Sequence, residues 1–259
     1  MTEPILLVTT ERGVATLTLN RPQARNAMSV ALMTAMETAL AAAVADPAVR
    51  VVVIGANGPA FSAGHDLKEL RGGNDPAALE ALFAQCTRLM TGIVRLPKPV
   101  IAKVQGMATA AGCQLVASCD LAIAARSARF ATPGVNIGLF CSTPMVALSR
   151  AVAPKHALEM LLTGEAIDAE RAQAIGLINQ AVADADLERA AADLAATIAG
   201  KSARTLRIGK EAFQRQREMD LDAAYAFAGQ VMAENLKAAD AALGIDAFLA
   251  KRKPVWTDR

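Results

Sequence analysis

Two glycine-bearing stretches of this chain hold residue types from which a reactive site can be built. The first is Ala60-Phe61-Ser62-Ala63-Gly64-His65-Asp66-Leu67, and the second runs from Gly106 to Gln114 as GMATAAGCQ. In the second, small residues lead into a segment of helical composition, and the first amides of a helix have no partner inside it. Amides presented this way, with the helix dipole behind them, suit a developing negative charge. The first stretch also places Ser62, His65 and Asp66 together. A Ser-His-Asp relay needs side chains that converge, which residues one and three positions apart on one turn do not, and no G-x-S-x-G elbow is present. The set is therefore not read as a hydrolase triad.

The remaining reactive side chains exclude other chemistries. Cys86, Cys113, Cys119 and Cys141 form no CxxC pair, and His65 and His156 lie far apart, so neither a zinc site nor a disulfide framework is expected. Reduced, mostly buried thiols are the expectation. Cys141, among Phe140 and small residues, reads first as packing, with a nucleophile or weak acid as the alternative. Without a Rossmann fingerprint or ligand-spaced His and Cys, no metal, flavin or nicotinamide cofactor is expected.

Composition sets the frame for these loops. The 259 residues are 53% apolar, enough to bury a sizeable core, and the net charge of +2 gives no reason to expect nucleic acid or an anionic membrane as the main partner. One basic cluster, Arg204, Arg207, Lys210, Arg215 and Arg217, alternates with Glu211 and Glu218 and reads as a solvated, ion-paired helix face. No run approaches the ~18 uninterrupted apolar residues of a spanning helix. The opening MTEPILLVTT shows neither a signal peptide nor an Arg-rich transit peptide, so a cytoplasmic location is expected.

The elements that must position the two loops follow from periodicity. Val14 to Asn20 alternates as a half-buried strand; Arg50 to Ile54, Val100 to Val104 and Leu121 to Ala124 read as strands buried on both faces. Ser29 caps a helix with Leu32, Met36, Leu40 and Val44 on its apolar stripe, and Ala77 to Val94 is a second helix. Strand and helix alternate, which predicts a layered α/β architecture. Beyond about residue 144, helix-prone segments dominate, at Lys155 to Leu162, Asp168 to Ile175, Leu187 to Ala199, Ser202 to Arg217, Leu221 to Leu236 and Ala238 to Ala250.

Together the stretches AFSAGHDL and IAKVQGMATAAGCQLVASCDLAI, preceded by LTLNRPQARNAMS and followed by LTGEAIDAERAQAIGLINQAV, resemble the enoyl-CoA hydratase/isomerase (crotonase) superfamily over nearly the whole chain. GLFCSTPMVALSRAV and the FSAGHD loop resemble the branch called enoyl-CoA hydratase domain-containing protein 3. The resemblance implies a crotonase (ClpP/crotonase-like) fold of repeated ββα units over residues 1–195. Residues 196–259 would then be a helical region used in trimerisation, giving a homotrimer or a hexamer. It implies a coenzyme A thioester as substrate. The backbone amides of His65 and Ala111 match the family's oxyanion hole, while Arg25, Ala27, Ala63, Asp66 and Leu67 match positions lining the nucleotide end of CoA. Phe248 and Lys251 are expected to complete that pocket, from the same or another subunit.

The departures bear on the reaction. Family hydratases carry one glutamate two positions after the small-residue triplet and another closing a Pro-Glu dipeptide; here those positions are Gln114 and Gly134. Hydration needs a base for water and an acid for Cα, and neither replacement titrates near neutral pH; losing one such group costs ~10²- to 10⁴-fold. Hydratase or isomerase is the activity the family resemblance implies. A malonyl-type decarboxylase and a non-catalytic acyl-CoA binder are the alternatives, the former because loss of CO₂ itself makes the enolate and because the FSAGHD loop resembles that of the family's methylmalonyl-CoA decarboxylase. Restoring glutamate at both positions is expected to raise hydration if only the acid and base are missing.

Overall fold

The computed structural model describes residues 3–72 and 75–259. Strand β1 (Leu6–Glu11) turns back on β2 (Val14–Leu19) through Arg12 and Gly13, both at positive φ, as a two-residue hairpin of this twist requires. Helix α1 (Val30–Ala45) comes next, capped by the Ser29 hydroxyl on the Leu32 amide. Its buried stripe is Leu32, Met33, Met36, Leu40 and Ala43, while Val44 is exposed. The sequence stripe, taken every four residues, drifts off a 3.6-residue helix by one position at its end.

Three ββα turns then build the centre. The first is β3 (Val51–Ala56), β4 (Ala60–Ser62), the short α2 (Leu67–Gly72) and α3 (Pro76–Val94). The second is β5 (Val100–Val104), β6 (Met107–Thr109) and α4 (Ala111–Ser118), and the third is β7 (Leu121–Ala125), β8 (Arg129–Ala131) and α5 (Ser142–Ala151). The first strand of each turn joins a six-stranded sheet of order β1-β2-β3-β5-β7-β10, where β10 is Gln180–Val182. The second joins a four-stranded sheet of order β4-β6-β8-β9, where β9 is Ile167–Asp168. Strands β4, β6 and β8 are too short to show a period in sequence, and β4 and β6 lie within the two glycine-bearing stretches.

Side-chain alternation explains why the large sheet is continuous Val and Ile. Val52, Ile54, Val100, Ala102 and Val104 face the main core with α1, α3 and α4, whereas Val51, Val53 and Ile101 face Ala195 of α8 (Leu187–Ala199). Each such side chain removed from water contributes ~1.5–3 kcal/mol, which is why both faces must be covered. Between them lie α6 (Pro154–Thr163) and α7 (Ala169–Ala174), and α9 (Ala203–Gln216), α10 (Leu221–Leu236) and α11 (Ala239–Leu249) close the chain.

Helix α9 is not simply a solvated face. Its Lys210 side chain is 9% exposed, pairs with Asp120 at 2.6 Å and donates to the Ile93 and Lys98 carbonyls, so α9 is pinned to the entry of β5 and β7. Elsewhere α9 to α11 leave Phe213, Leu221, Tyr225 and Phe248 exposed. Among the described residues no helix is long and apolar enough to cross a membrane, and no group of His, Cys, Asp or Glu is placed to hold a metal ion.

Residues 252–259 run back over the core as a strap. Arg50 pairs with Asp258 at 2.6 Å and donates to the Ala199 and Lys201 carbonyls, while Asp240, 1% exposed, accepts from the Thr257 and Asp258 amides and the Thr257 hydroxyl. Burial pushes the Asp240 carboxyl up, but hydrogen bonds from Ser202, Thr257 and Asp258 reverse this and hold it below its ordinary value; hydrogen bonding to Arg50 lowers that of Asp258. A lowered carboxyl stabilises the fold above the unfolded-state pKa of ~3.9 and loses this as the pH falls through the folded value. Asp240→Ala is therefore expected to lower stability by ~1–3 kcal/mol at neutral pH, with the difference from wild type shrinking on acidification, as read by thermal melts across pH.

Candidate active site

Three loops leave neighbouring strands at one edge of the small sheet. Ser62 pairs in register with Ala108 and Thr109 with Ala131, so the residues after β4, β6 and β8 emerge side by side. The Ala110 amide donates to the Ala131 carbonyl at 2.9 Å, tying the second loop to the third. The sequence positions His65, Ala111 and Gly134 thus belong to three successive ββα turns, each just past its second strand.

The first two loops touch through backbone. Gly64 sits at φ +86°, and a Cβ there would lie 2.8 Å from the Ala110 Cβ and 3.2 Å from the Ala111 nitrogen. A Cβ at Gly112 would lie 2.3 Å from the Ser62 carbonyl oxygen. Ala110 itself has φ 49° and ψ −117°, a conformation that side chains disfavour, and the chain turns there so that α4 begins with its amides facing the first loop. Among the described residues neither the His65 nor the Ala111 amide has a hydrogen-bond acceptor. Two free N–H groups, one at a helix N-terminus, are what the site offers to an anionic oxygen.

Asn26, which sequence reading passed over, holds this arrangement. Fully buried at φ 52°, it accepts from the Arg21 amide at 2.8 Å and donates to the Asn57 and Ala60 carbonyls at 2.9 and 2.8 Å. Its own carbonyl accepts from the Ser62 hydroxyl, which in turn accepts from the Gly64 amide. Ala63 N–H donates to Arg25 and Met28 N–H to Gly64, completing the seam. Ser62 is thus engaged with main chain, and Asp66 pairs with Arg21 at 3.4 Å, so no Ser-His-Asp relay forms. The cue in sequence was an Asn in a turn, since Asn tolerates the left-handed region.

His65 turns its ring edge-on to Phe83, with centroids 5.5 Å apart. Both ring nitrogens are buried and, among the described residues, unpartnered; burial drives the pKa down, against opposing effects of the nearby Met28 carbonyl and the Glu69 charge. The ring is accordingly neutral at pH 7 and its backbone amide is the group presented.

The two positions where glutamates were expected differ in kind. Gln114 is 5% exposed, one turn along α4 from Ala111, with the Cys86 thiol 3.9 Å from its Oε1. Its side chain lines a groove of about 840 Å³ between α3, α4, α5 and α9. Gly134 is a closed position: a Cβ there would meet the Leu139 carbonyl oxygen at 2.5 Å and the Cys141 Sγ at 2.9 Å. Restoring both glutamates is therefore not a simple repair, because the second has no room. The Cys141 thiol occupies the space beside Gly134, is 7% exposed, and is pushed up in pKa by burial against the lowering effect of the Gly134 amide. Cys113 and Cys86 are buried thiols raised to about 12 and about 11.

Arg25, Ala27, Ala63, Asp66 and Leu67 are brought together around the seam, with Arg25 and Leu67 exposed and Ala27 buried. Phe248 is 81% exposed at the end of α11, which packs on α10, and Lys251 just beyond it is also exposed.

Two substitutions test the scaffold. Asn26→Ala leaves the Arg21 amide and the Asn57 and Ala60 carbonyls without partners, and a loss of at least ~3 kcal/mol is expected in chemical denaturation. Gly64→Ala forces a side chain into the left-handed region against Ala110, and is expected to cost ~1–3 kcal/mol; melts read the stability loss, and crystallography reads a widened gap between the two loops.

Comparison with known proteins places this geometry. The family model for enoyl-CoA hydratase/isomerase matches residues 9–259. A relative from Rattus norvegicus, enoyl-CoA hydratase domain-containing protein 3, mitochondrial, is 46% identical over 98% of this chain and 85% of its own length. The crystal structure of an enoyl-CoA hydratase from Mycobacterium smegmatis superposes with a TM-score of 0.95 at 52% identity, covering 98% of this chain and 99% of that one. The human enoyl-CoA hydratase domain-containing protein 3 gives 0.95 at 44% identity, over 98% and 100% of the two chains. The rat relative, like those from Xenopus laevis and Homo sapiens, is named mitochondrial, which overturns the cytoplasmic expectation. That expectation rested on the composition of the first residues alone. By fold and by sequence the chain belongs to the enoyl-CoA hydratase/isomerase (crotonase) family, and within it resembles the enoyl-CoA hydratase domain-containing protein 3 branch.

Proposed function

We propose that this chain binds an acyl-CoA thioester with its carbonyl oxygen between the His65 and Ala111 amides and stabilises the enolate that forms there. The observation that carries this is the pair of unpartnered amides held together by the Gly64 and Gly112 contacts. Each donor aimed at a developing oxyanion is worth ~2.7–4 kcal/mol of barrier. Membership of a family of lyases and isomerases supports an enzyme of that class. Arg25, Ala27, Ala63, Asp66 and Leu67 form the rim at which the nucleotide end of CoA rests. Phe248 and Lys251 reach it only from a second copy, a reading supported by the exposed apolar side chains of α9 to α11 and fitting a homotrimer or hexamer.

Hydration by paired carboxylates has no support at Gln114 and Gly134. The reaction that fits is one whose own bond cleavage makes the enolate. In a malonyl-type thioester the bond from Cα to the carboxylate carbon breaks, its electron pair enters the enolate, and CO₂ leaves. The enolate then takes a proton at Cα. Cys141, kept as a thiol by burial and standing beside Gly134, is the donor, and its thiolate recovers a proton from water. Binding without turnover is the second reading, favoured by the same missing carboxylates.

Titration calorimetry with CoA, crotonyl-CoA and methylmalonyl-CoA, followed by mass spectrometry of each mixture, separates these readings. Thioester binding with CO₂ release and a propionyl product is expected; binding with no product leaves a binder, and no binding removes the proposal. Cys141→Ala is expected to slow product formation ~10²-fold with binding retained. Gln114→Glu with Gly134→Glu is expected to add no crotonyl-CoA hydration and to lower the melting temperature, since the second side chain displaces Leu139 and Cys141.

A further inference from the structure

The groove that starts at Gln114 carries an electrostatic feature that oxyanion stabilisation does not use. Its inner wall is apolar, with Met90 and Leu96 almost fully buried. Toward solvent it is lined by Arg95, Arg150 and Arg207, three cations from α5, α9 and the segment after α3. Lys210 and Arg215 also reach it, but their charges are matched by Asp120 at 2.6 Å and Glu211 at 3.5 Å. Among the described residues Arg95, Arg150 and Arg207 pair with no carboxylate; Arg150 donates only to the Val146 carbonyl. Glu218 is the one other anion on the lining, so three unmatched cations face a single unmatched carboxylate.

This concentration is local, since the whole chain carries only +2. Like charges gathered at one apolar groove repel, and a low-dielectric wall strengthens the field they project into it. An uncharged acyl chain leaves that field unmatched, whereas a carboxylate is held by it, through forked guanidinium donors suited to carboxylate geometry. The groove's lining reaches Gln114, one helical turn along α4 from the Ala111 amide; a chain laid from that amide past Gln114 would meet Met90 and then the arginines. We infer that the acyl group this protein accepts ends in a distal carboxylate, held by Arg95, Arg150 and Arg207 at the open end of the groove. The inference rests on the acyl-CoA binding proposed above and specifies the chain beyond Cα; the distal carboxylate is separate from the Cα carboxylate that leaves as CO₂ in the proposed reaction.

The test uses pairs of thioesters matched in chain length, hexanoyl-CoA against adipyl-CoA and octanoyl-CoA against suberyl-CoA, with CoA alone as reference, in calorimetric titrations at low and high salt. The carboxylated member of at least one pair is expected to bind ~10-fold tighter, an advantage that shrinks as salt screens the groove. Arg150→Gln with Arg207→Gln is expected to remove the advantage while leaving CoA and octanoyl-CoA affinity unchanged. Arg207→Glu is expected to make the carboxylated member the weaker ligand. Equal or weaker binding of the carboxylated thioesters, with CoA and the uncharged thioesters still bound, overturns the charge inference alone. Loss of binding for every thioester overturns the acyl-CoA reading with it.

Discussion

Two backbone contacts, Gly64 against Ala110 and Ala111 and Gly112 against Ser62, are the constraint on which the site depends. With Cβ positions 2.8 and 2.3 Å from their neighbours, neither glycine can carry a side chain without parting the loops. Because the presented groups are main-chain amides, the side chains at 65 and 111 are free to serve packing. His65 uses its ring against Phe83, and Ala111 is fully buried. What cannot vary is the path of the chain, which depends on the register of β4, β6 and β8 and on the Asn26 seam.

The two sheets divide the labour. The large one supplies cohesion, since its strands are buried on both faces and α8 covers one of them. The three-residue strands β4 and β8 each add a fully buried phenylalanine, Phe61 and Phe130, to the main core. With β6 they also hold the ends of three successive ββα turns at one edge. A site of this kind gains precision from rigid strand ends and variety from the loops and helices beyond them, where Gln114, Gly134 and Cys141 depart from the glutamate-bearing pattern.

Much of this was legible in the residues. The Val and Ile runs at β3 and β5 and the Ser29 cap announced themselves by composition and spacing, and the motif order carried the family. The short strands were not legible because three residues show no period. Asn26 was missed because its role lies in bonds to residues more than thirty positions away. The crowding at Gly134 was missed because Leu139 and Cys141 fold back over it, a tertiary fact that a missing glutamate does not reveal. Lys210 looked like one more surface cation, yet it is buried on Asp120, since helical spacing tells which residues share a face and not what that face meets.

The strap over residues 252–259 has a consequence for the order in which the molecule is made. Arg50 is synthesised with β3, but its partner Asp258 lies 208 positions later, and its other acceptors, at Ala199 and Lys201, appear only after α8. Strap closure therefore cannot precede the synthesis of Asp258, and until then Arg50 can bridge only the Ala199 and Lys201 carbonyls at the joint between α8 and α9.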